Sequence, residues 1–531
     1  MMKRALPGAL AALLMTTTAA SAWAASLPAL KKEAAAKVDA KAKLAQQMNN
    51  SIFSFGELGF QEIETSKYIT GVLEKNGFTI QRGTSGLPTG WTATWTNKTG
   101  GPVIALGSDI DGIPKSSQTP GLPYRKPLVD GAPGHGEGHN SGQAVNVVAA
   151  LAVKELMERE GIAGTLMLWP GVAEELVASK AYMVRDGVFN NVDAVIFTHV
   201  GDNLATTWGK ASGTGLVSIQ YTFKGETAHS AGKPWQGKSA LDAVSLMNAG
   251  WEFRREHIRP EQRSHYVITD GGDQPNVVPE RATVWYYFRE QDFKKIADLK
   301  AMGDKIADGA AMMTDTTVTQ RVVGYAAPRH FNKPMAEAAY ANIQAVGLPK
   351  WDANDQAFAK AVQANVGADK TAGLDTELKK MEPPVEEPKS GGSDDIGDVS
   401  WIAPTITVNY PSNIPGLPGH NWRNGISMAT PIAHKGVVAG SKVVAMTTLD
   451  LLMRPELRTA AKDYFTNVQT KNEKYAPLIG DAKPPVELNT GIMAQYREAM
   501  KPFYYDDTKD QTYLEQLGVK WPTLDKGPAA K

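Results

Sequence analysis

The stretch GTLMLWPGVAEEL, residues 164–176, decides how the rest of the chain is read. It opens as a short apolar run between glycines, the pattern of a strand buried on both faces. It then runs into two adjacent carboxylates, Glu174 and Glu175. At a solvated helix start such a pair would only complement the helix dipole. At the carboxyl end of a buried strand it lies where open α/β sheets collect their functional groups. Neighbouring segments repeat the pattern. GPVIALGSDID (101–111) reads as a strand ending on Asp109 and Asp111, and VDAVIFTHV (192–200) as one ending on His199. GQAVNVVAALAVKELMERE (142–160) and KAYMVRDG (180–187) read as helices between them. This alternation predicts an α/β fold, a doubly wound and mainly parallel sheet with helices on both faces.

A different rhythm begins near residue 215. LVSIQYTFKG (216–225), SHYVITDG (264–271), RATVWYYFRE (281–290) and TTVTQRVVG (316–324) alternate like strands, with helix patterns over 239–257 and 292–313. Strand-helix-strand-strand-helix-strand is the order of a ferredoxin-like α+β unit. Residues 215–325 therefore read as a small domain inserted into a larger, discontinuous one of 25–214 and 326–531. MEPPVEEPKSGGSDD (381–395) reads as an exposed loop, and 28–64 as an Ala/Lys-rich helical stretch.

At 531 residues the chain exceeds what one hydrophobic core fills. Lys+Arg and Asp+Glu balance at 56 each, which argues against nucleic acid or a membrane surface as partner. The start, MMKRALPGALAALLMTTTAASAWAAS, has a basic head, an apolar run and an Ala22-Trp23-Ala24 cleavage pattern. Residues 1–24 are thus expected to be a signal peptide, the run being too short to span a bilayer, with a periplasmic or secreted product and no membrane span after cleavage. With no cysteine, thiol nucleophiles, thiolate ligands and disulfides are excluded.

GHGEGHNSG (134–142) allows two readings, a phosphate-cradling glycine loop or a metal loop. A dinucleotide fingerprint follows a strand directly, whereas proline-rich loop precedes this one. The metal reading uses the polar residues: His139 and Glu137 can point into one cavity, near the strand-end groups Glu174, Glu175 and His199. NIPGLPGHNW (413–422) delivers His420 from a Gly/Pro loop. Such carboxylates and imidazoles suit two divalent ions about 3.5–4 Å apart, with one of the paired glutamates free to take a proton.

With these motifs the sequence resembles the dinuclear metal-dependent peptidases and amidohydrolases, the family of aminoacylase, carboxypeptidase G and hippurate hydrolase. The resemblance covers essentially the whole mature chain. It implies Glu174 as general base, Asp111 as orienting residue, and Glu137, His139, Glu175, His199 and His420 as ligands of two zinc or manganese ions. One branch of the family has a cysteine where this chain has Glu137, a change that favours harder ions such as manganese. In the insertion, FKGETAHSAGKPWQGKSALDA (223–243) carries the family's G-x-x-A-H-S signature. Its His229 is expected to stabilise the oxyanion, often from the partner protomer of a homodimer. Asn276 and Arg289 are expected to hold a substrate carboxylate. The resemblance makes His135 a supporting residue and His434 a packed one. It implies hydrolysis of an amide bond in small N-acyl or N-aroyl amino acids, aminobenzoyl-glutamate-like, or short peptides, with the insertion closing as a lid. The alternative is a non-catalytic exported binding protein that kept the fold and lost a metal. Residues selecting the acyl side are expected on loops.

Overall fold

In a computed structural model, residues 25–211, 213–384 and 391–527 are described. The expected signal segment lies outside them, as does 385–390 of the expected loop. The chain lays down β1 (Thr79–Arg82), β2 (Trp91–Asn97), β3 (Val103–Asp109), β4 (Gly164–Gly171), β5 (Ala194–Gly201) and β6 (Ala205–Thr206). A two-residue β7 (Gly209–Lys210) follows. Then β8 (Gly215–Lys224), β9 (Arg263–Asp270), β10 (Arg281–Glu290) and β11 (Thr317–Ala326) build a second sheet. β12 (His330–Phe331) pairs back with β7, and β13 (Thr405–Pro411) rejoins the first sheet.

That first sheet has seven strands ordered β1-β2-β4-β3-β5-β13-β6. Its central four, β4-β3-β5-β13, are parallel, and β1, β2 and β6 pair antiparallel at the edges. The sheet is therefore mixed around a parallel centre. The 83–90 loop between β1 and β2 is too short for a helical crossover, so that pair can only be antiparallel. Tight packing explains one strand glycine. A Cβ on Gly107 in β3 would lie 2.2 Å from the Trp169 ring of β4.

The expected 28–64 stretch is two helices, Leu27–Ala40 and Ala42–Phe55, followed by Ile63–Lys75. Helix Pro431–Met453 is long and apolar enough to cross a membrane, yet 83% of its apolar window is buried inside the protein. It packs against helices Leu27–Ala40 and Gly142–Glu160 and against β13. A helix apolar all round belongs in a core. Gly436 and Gly440 allow its close approach, since a Cβ would lie 2.1 Å from the Pro411 carbonyl oxygen or 2.7 Å from Tyr410 Cβ.

The second sheet is antiparallel throughout, ordered β11-β8-β10-β9. Helices Ala240–Arg255 and Phe293–Met313 cover one face, each started by a side-chain cap, Ser239 and Asp292. Val284, Tyr286 and Phe288 of β10 are buried in the core shared with those helices, while Trp285, Tyr287 and Arg289 alternate half-buried on the other face.

The 381–395 reading needs correction at its end. Asp394 and Asp395 are 9% and 0% exposed and lead into helix Ile396–Ser400. They are drawn inside by a buried cation, Lys180. The C-terminal segment is also engaged: Arg497 pairs with buried Glu57, and Asn489 Nδ2 donates to the Gly59 carbonyl at 3.1 Å.

Candidate metal centre and cleft

The carboxyl ends of β4, β3 and β5 lie side by side, and each delivers part of one cluster. β4 leads into a tight turn, Glu174–Leu176, bracketed by Ala173 at φ 51° and Val177 at φ 47°. Left-handed backbone at such residues is strained and persists only where the surroundings over-determine it. Here three contacts do so. Ala173 N–H donates to buried Glu62 Oε1 at 2.9 Å, and Tyr325 N–H, at the end of β11, donates to the Val177 carbonyl at 3.0 Å. Gly59 lies so close that a Cβ on it would be 2.7 Å from Ala173 Cα. On the neighbouring strand end, Asp111 Oδ2 accepts the Glu175 N–H at 3.1 Å.

The GHGEGHNSG loop precedes helix Gly142–Glu160 and turns its polar residues toward these strand ends. His139 is 2% exposed. Its Nδ1 lies 3.5 Å from Asp111 Oδ1 and 3.9 Å from Glu175 Oε1. Its Nε2 lies 4.0 Å from both Glu137 Oε2 and Glu174 Oε2. Within β5, His199 Nδ1 bonds the Val200 carbonyl at 2.9 Å, leaving Nε2 3.6 Å from Glu137 Oε1. His420 sits at φ 50°, with Nε2 2.7 Å from Glu137 Oε2 and 3.5 Å from Glu175 Oε2. Its loop is tied to the first, because Asn421 N–H and Asn424 Nδ2 both donate to the Gly136 carbonyl, at 3.2 and 3.0 Å.

Glu137, His139, Glu174 and Glu175 thus offer ligand atoms within 4.8 Å of one another, as do Asp109, His139 and His199. Both nitrogens of His139, with Asp109 Oδ2, Asp111 Oδ1 and Glu175 Oε1, are buried without a hydrogen-bond partner. Buried polar atoms are normally paired, so a set of orphaned imidazole and carboxylate atoms facing one another fits divalent cations.

Charge state follows the same crowding. Burial, then the Asp109 and Asp394 carboxylates, push Glu174 well above the usual carboxylate range. Burial and Glu137 do the same to Glu175. Burial opposes ionisation of Glu137, but the hydrogen bond with His420 and the nearby imidazoles outweigh it and lower its pKa. That same bond raises His420 to about 9.

Two residues that sequence reasoning left without a role stand behind the cluster. Lys180 is completely buried, its Nζ 2.6 Å from Asp109 Oδ1, in contact with Asp395 Oδ1, and 3.8 Å from Asp394 Oδ1. Burial works against its charge, yet these carboxylates raise its pKa well above the ordinary value. Asp109 and Asp394 in turn lie within 4.8 Å of Glu174. The only sequence signal for Asp109 was its place at a strand end, which Asp111 shares. Lys180 offered none.

The cluster floors an open cleft whose walls include Tyr287, Arg289, Arg329, Ser393 and Asn409. Arg289 Nη1 donates to Ser393 Oγ at 2.9 Å, its guanidinium lies 5.3 Å from the Tyr287 ring centre, and its Nε is buried without a partner. His229 and Asn276 do not line this cleft. Both are exposed on the insertion, where Ser230 N–H donates to the Asn276 carbonyl at 3.0 Å. His229 Nδ1 accepts from Ala231 and Gly232 N–H, each at 3.1 Å, which puts the ring proton on outward-facing Nε2. His135 bonds the Ile52 carbonyl at 3.1 Å, and His434, in helix Pro431–Met453, bonds Asn50 Oδ1 at 2.7 Å. Both serve packing.

Comparison with known proteins identifies relatives of the chain by sequence and by fold. Residues 213–311 match a family model described as a peptidase dimerisation domain. The chain is 32% identical over 460 residues to a subunit of the p-aminobenzoyl-glutamate hydrolase of Escherichia coli, covering 82% of this chain and 94% of that one. It is 25% identical to a mouse Xaa-Arg dipeptidase, over 83% of this chain and 93% of the relative. The crystal structure of an aminobenzoyl-glutamate utilization protein from Klebsiella pneumoniae shares the fold at a TM-score of 0.52 and 16% identity, over 78% of this chain and 96% of that one. By this relationship across 82% of its length, the chain belongs to the M20 family of metal-dependent peptidases and amidohydrolases, and it is an amide hydrolase.

Proposed function

We propose that the protein hydrolyses the amide bond of small N-acyl or N-aroyl amino acids, or of short dipeptides, with Glu174 as general base. The observation that carries this reading is the strained turn that holds buried Glu174 and half-buried Glu175 against His139 at the floor of a cleft whose wall carries Arg289. Glu137, His139, Glu175, His199 and His420 are the residues to hold two divalent cations, which when bound polarise the amide carbonyl and make water acidic enough to attack. Glu174 then takes the proton of the attacking water on its carboxylate and hands it to the departing nitrogen. Asp111, placed between the Glu175 N–H and His139 Nδ1, keeps the imidazole facing the cluster. Arg289 anchors a substrate carboxylate, with Nε still to be satisfied.

The exposed His229 is suited to act across a homodimer, its Nε2–H donated to the carbonyl oxygen of a substrate in the partner's cleft. The match to a dimerisation domain supports that assembly. The N-terminal basic, apolar and Ala-x-Ala pattern supports export, to the periplasm or beyond. The test is Glu174→Gln, assayed on aminobenzoyl-glutamate, N-acetyl amino acids and dipeptides. Metal content should be retained while turnover falls by about 10²–10⁴-fold. Wild-type turnover in the variant refutes the assignment.

A further inference from the structure

The open face of the second sheet carries a row of three side chains on alternate positions of β10: Arg289, Tyr287 and Trp285. Arg289 and Tyr287 line the catalytic cleft. Tyr287 also lines a second, open hollow, together with Trp285, His265, Val267 and Leu176. The hollow adjoins the catalytic turn: Leu176 follows Glu175 directly, and Tyr287, whose hydroxyl donates to the Glu175 carbonyl at 3.5 Å, is shared by the walls of both spaces.

Its walls are set by strand pairing rather than by loops. Val267 and His265 of β9 stand opposite Trp285 and Tyr287. Trp285 Nε1 donates to Ser218 Oγ of β8 at 2.8 Å, which satisfies the indole's polar atom and leaves the ring to line the hollow. The Trp285 and Tyr287 rings are 6.1 Å apart and tilted by 71°. Val267 is 56% exposed although it faces these rings, so an apolar surface at the mouth of the cleft is uncovered.

We propose that this hollow is the subsite for the acyl group of the substrate, and that it takes an aromatic acyl group. The proposal rests on the amide-hydrolase reading above. The occupant follows from the row itself, which places a carboxylate-binding guanidinium and two aromatic walls one pleat apart on a rigid strand. On a strand, alternate residues are about 7 Å apart, the scale that separates carboxylate and aryl ring in an N-aroyl amino acid. A substrate held at Arg289 by its carboxylate therefore lays its acyl end toward Tyr287 and Trp285, with the amide between them against the Glu174–Glu175 turn. Acyl selectivity then resides on β10 and β9, not on loops.

The experiment compares kcat/KM for benzoyl- and acetyl-amino acids of the same amino acid, in the wild-type holoenzyme and in Trp285→Ala and Trp285→Phe. Binding of p-aminobenzoate alone is measured in parallel by calorimetry on metal-free protein. The benzoyl-to-acetyl ratio should fall roughly tenfold in Trp285→Ala, mainly through KM, and be largely restored in Trp285→Phe. Binding of p-aminobenzoate should weaken in step. If Trp285→Ala lowers both substrates equally, or breaks the dimer with the ratio unchanged, the subsite assignment is overturned while the hydrolase reading stands. If Trp285→Ala fails to fold, Val267→Asp, exposed on β9, must lower the same ratio, and an unchanged ratio overturns the assignment. A wild-type enzyme that cleaves neither substrate nor aminobenzoyl-glutamate removes the underlying reading instead.

Discussion

Replacing Lys180 by methionine isolates the hidden charge that organises the cleft. The side chain is wholly buried and its ammonium joins Asp109 at 2.6 Å, contacts Asp395, and lies 3.8 Å from Asp394. Methionine keeps most of the volume and removes the charge. Asp109 and Asp395 then lose their ammonium partner and Asp394 keeps Arg329, 3.9 Å away, while Asp395 Oδ1 is left bare and Oδ2 still accepts the backbone N–H groups of residues 179 and 180. Removing one partner of a buried ion pair costs about 3–5 kcal/mol, because the remaining charges must stay unpaired or be neutralised. Against the roughly 5–15 kcal/mol of a typical fold, that is a large fraction. Urea denaturation of the metal-free full chain, wild type against Lys180→Met, measures it, and adding Asp395→Asn should recover part of the loss. The double variant matters because it relieves repulsion without restoring the cation. A loss under about 1 kcal/mol in the single variant would refute the reasoning, since it would mean the carboxylates do not depend on this ammonium.

Two further outcomes follow from the same geometry. Gly59→Ala should destabilise the protein by about 1–3 kcal/mol and depress turnover out of proportion, since the added methyl would sit 2.7 Å from Ala173 Cα and displace the turn that carries Glu174; thermal melts together with kcat check this. Divalent-cation binding should strengthen from about pH 6 toward about 9, because His420, raised to about 9 by its bond to Glu137, must lose its proton to become a ligand. Calorimetry of manganese or zinc binding in two buffers of different ionisation enthalpy reads the released protons, and binding that is flat with pH counts against His420 as a ligand.

Much of the candidate cluster was legible because its residues are announced locally. Glu174, Asp111 and His199 sit where apolar runs stop, and a parallel sheet puts such ends on one rim. His139 and His420 stand out as histidines in glycine-rich segments, which can bend toward a neighbour. The insertion was legible because alternation and helical periodicity differ, and its strand order β11-β8-β10-β9 is that of the ferredoxin-like reading. Other features had no local trace. SGGSDD has the composition of an exposed loop, yet Asp394 and Asp395 are inside because a lysine more than two hundred residues earlier neutralises them. The antiparallel β1–β2 pair at one edge, too, came from the length of its loop rather than from strand composition.

By itself, then, the sequence determined which segments become strands and helices, which residue types stand at strand ends, and that those types suit metal-assisted hydrolysis. Only the tertiary structure decided which carboxylates are compensated, which arginine and aromatic residues share a wall, and that His229 and Asn276 face away from their own chain's cleft. The physical reason is range. Periodicity and turn chemistry act between neighbours, but the partner that makes a buried charge tolerable lies 71 residues from Lys180 in one case and 215 in another. Such pairings exist only once the sheet order is made.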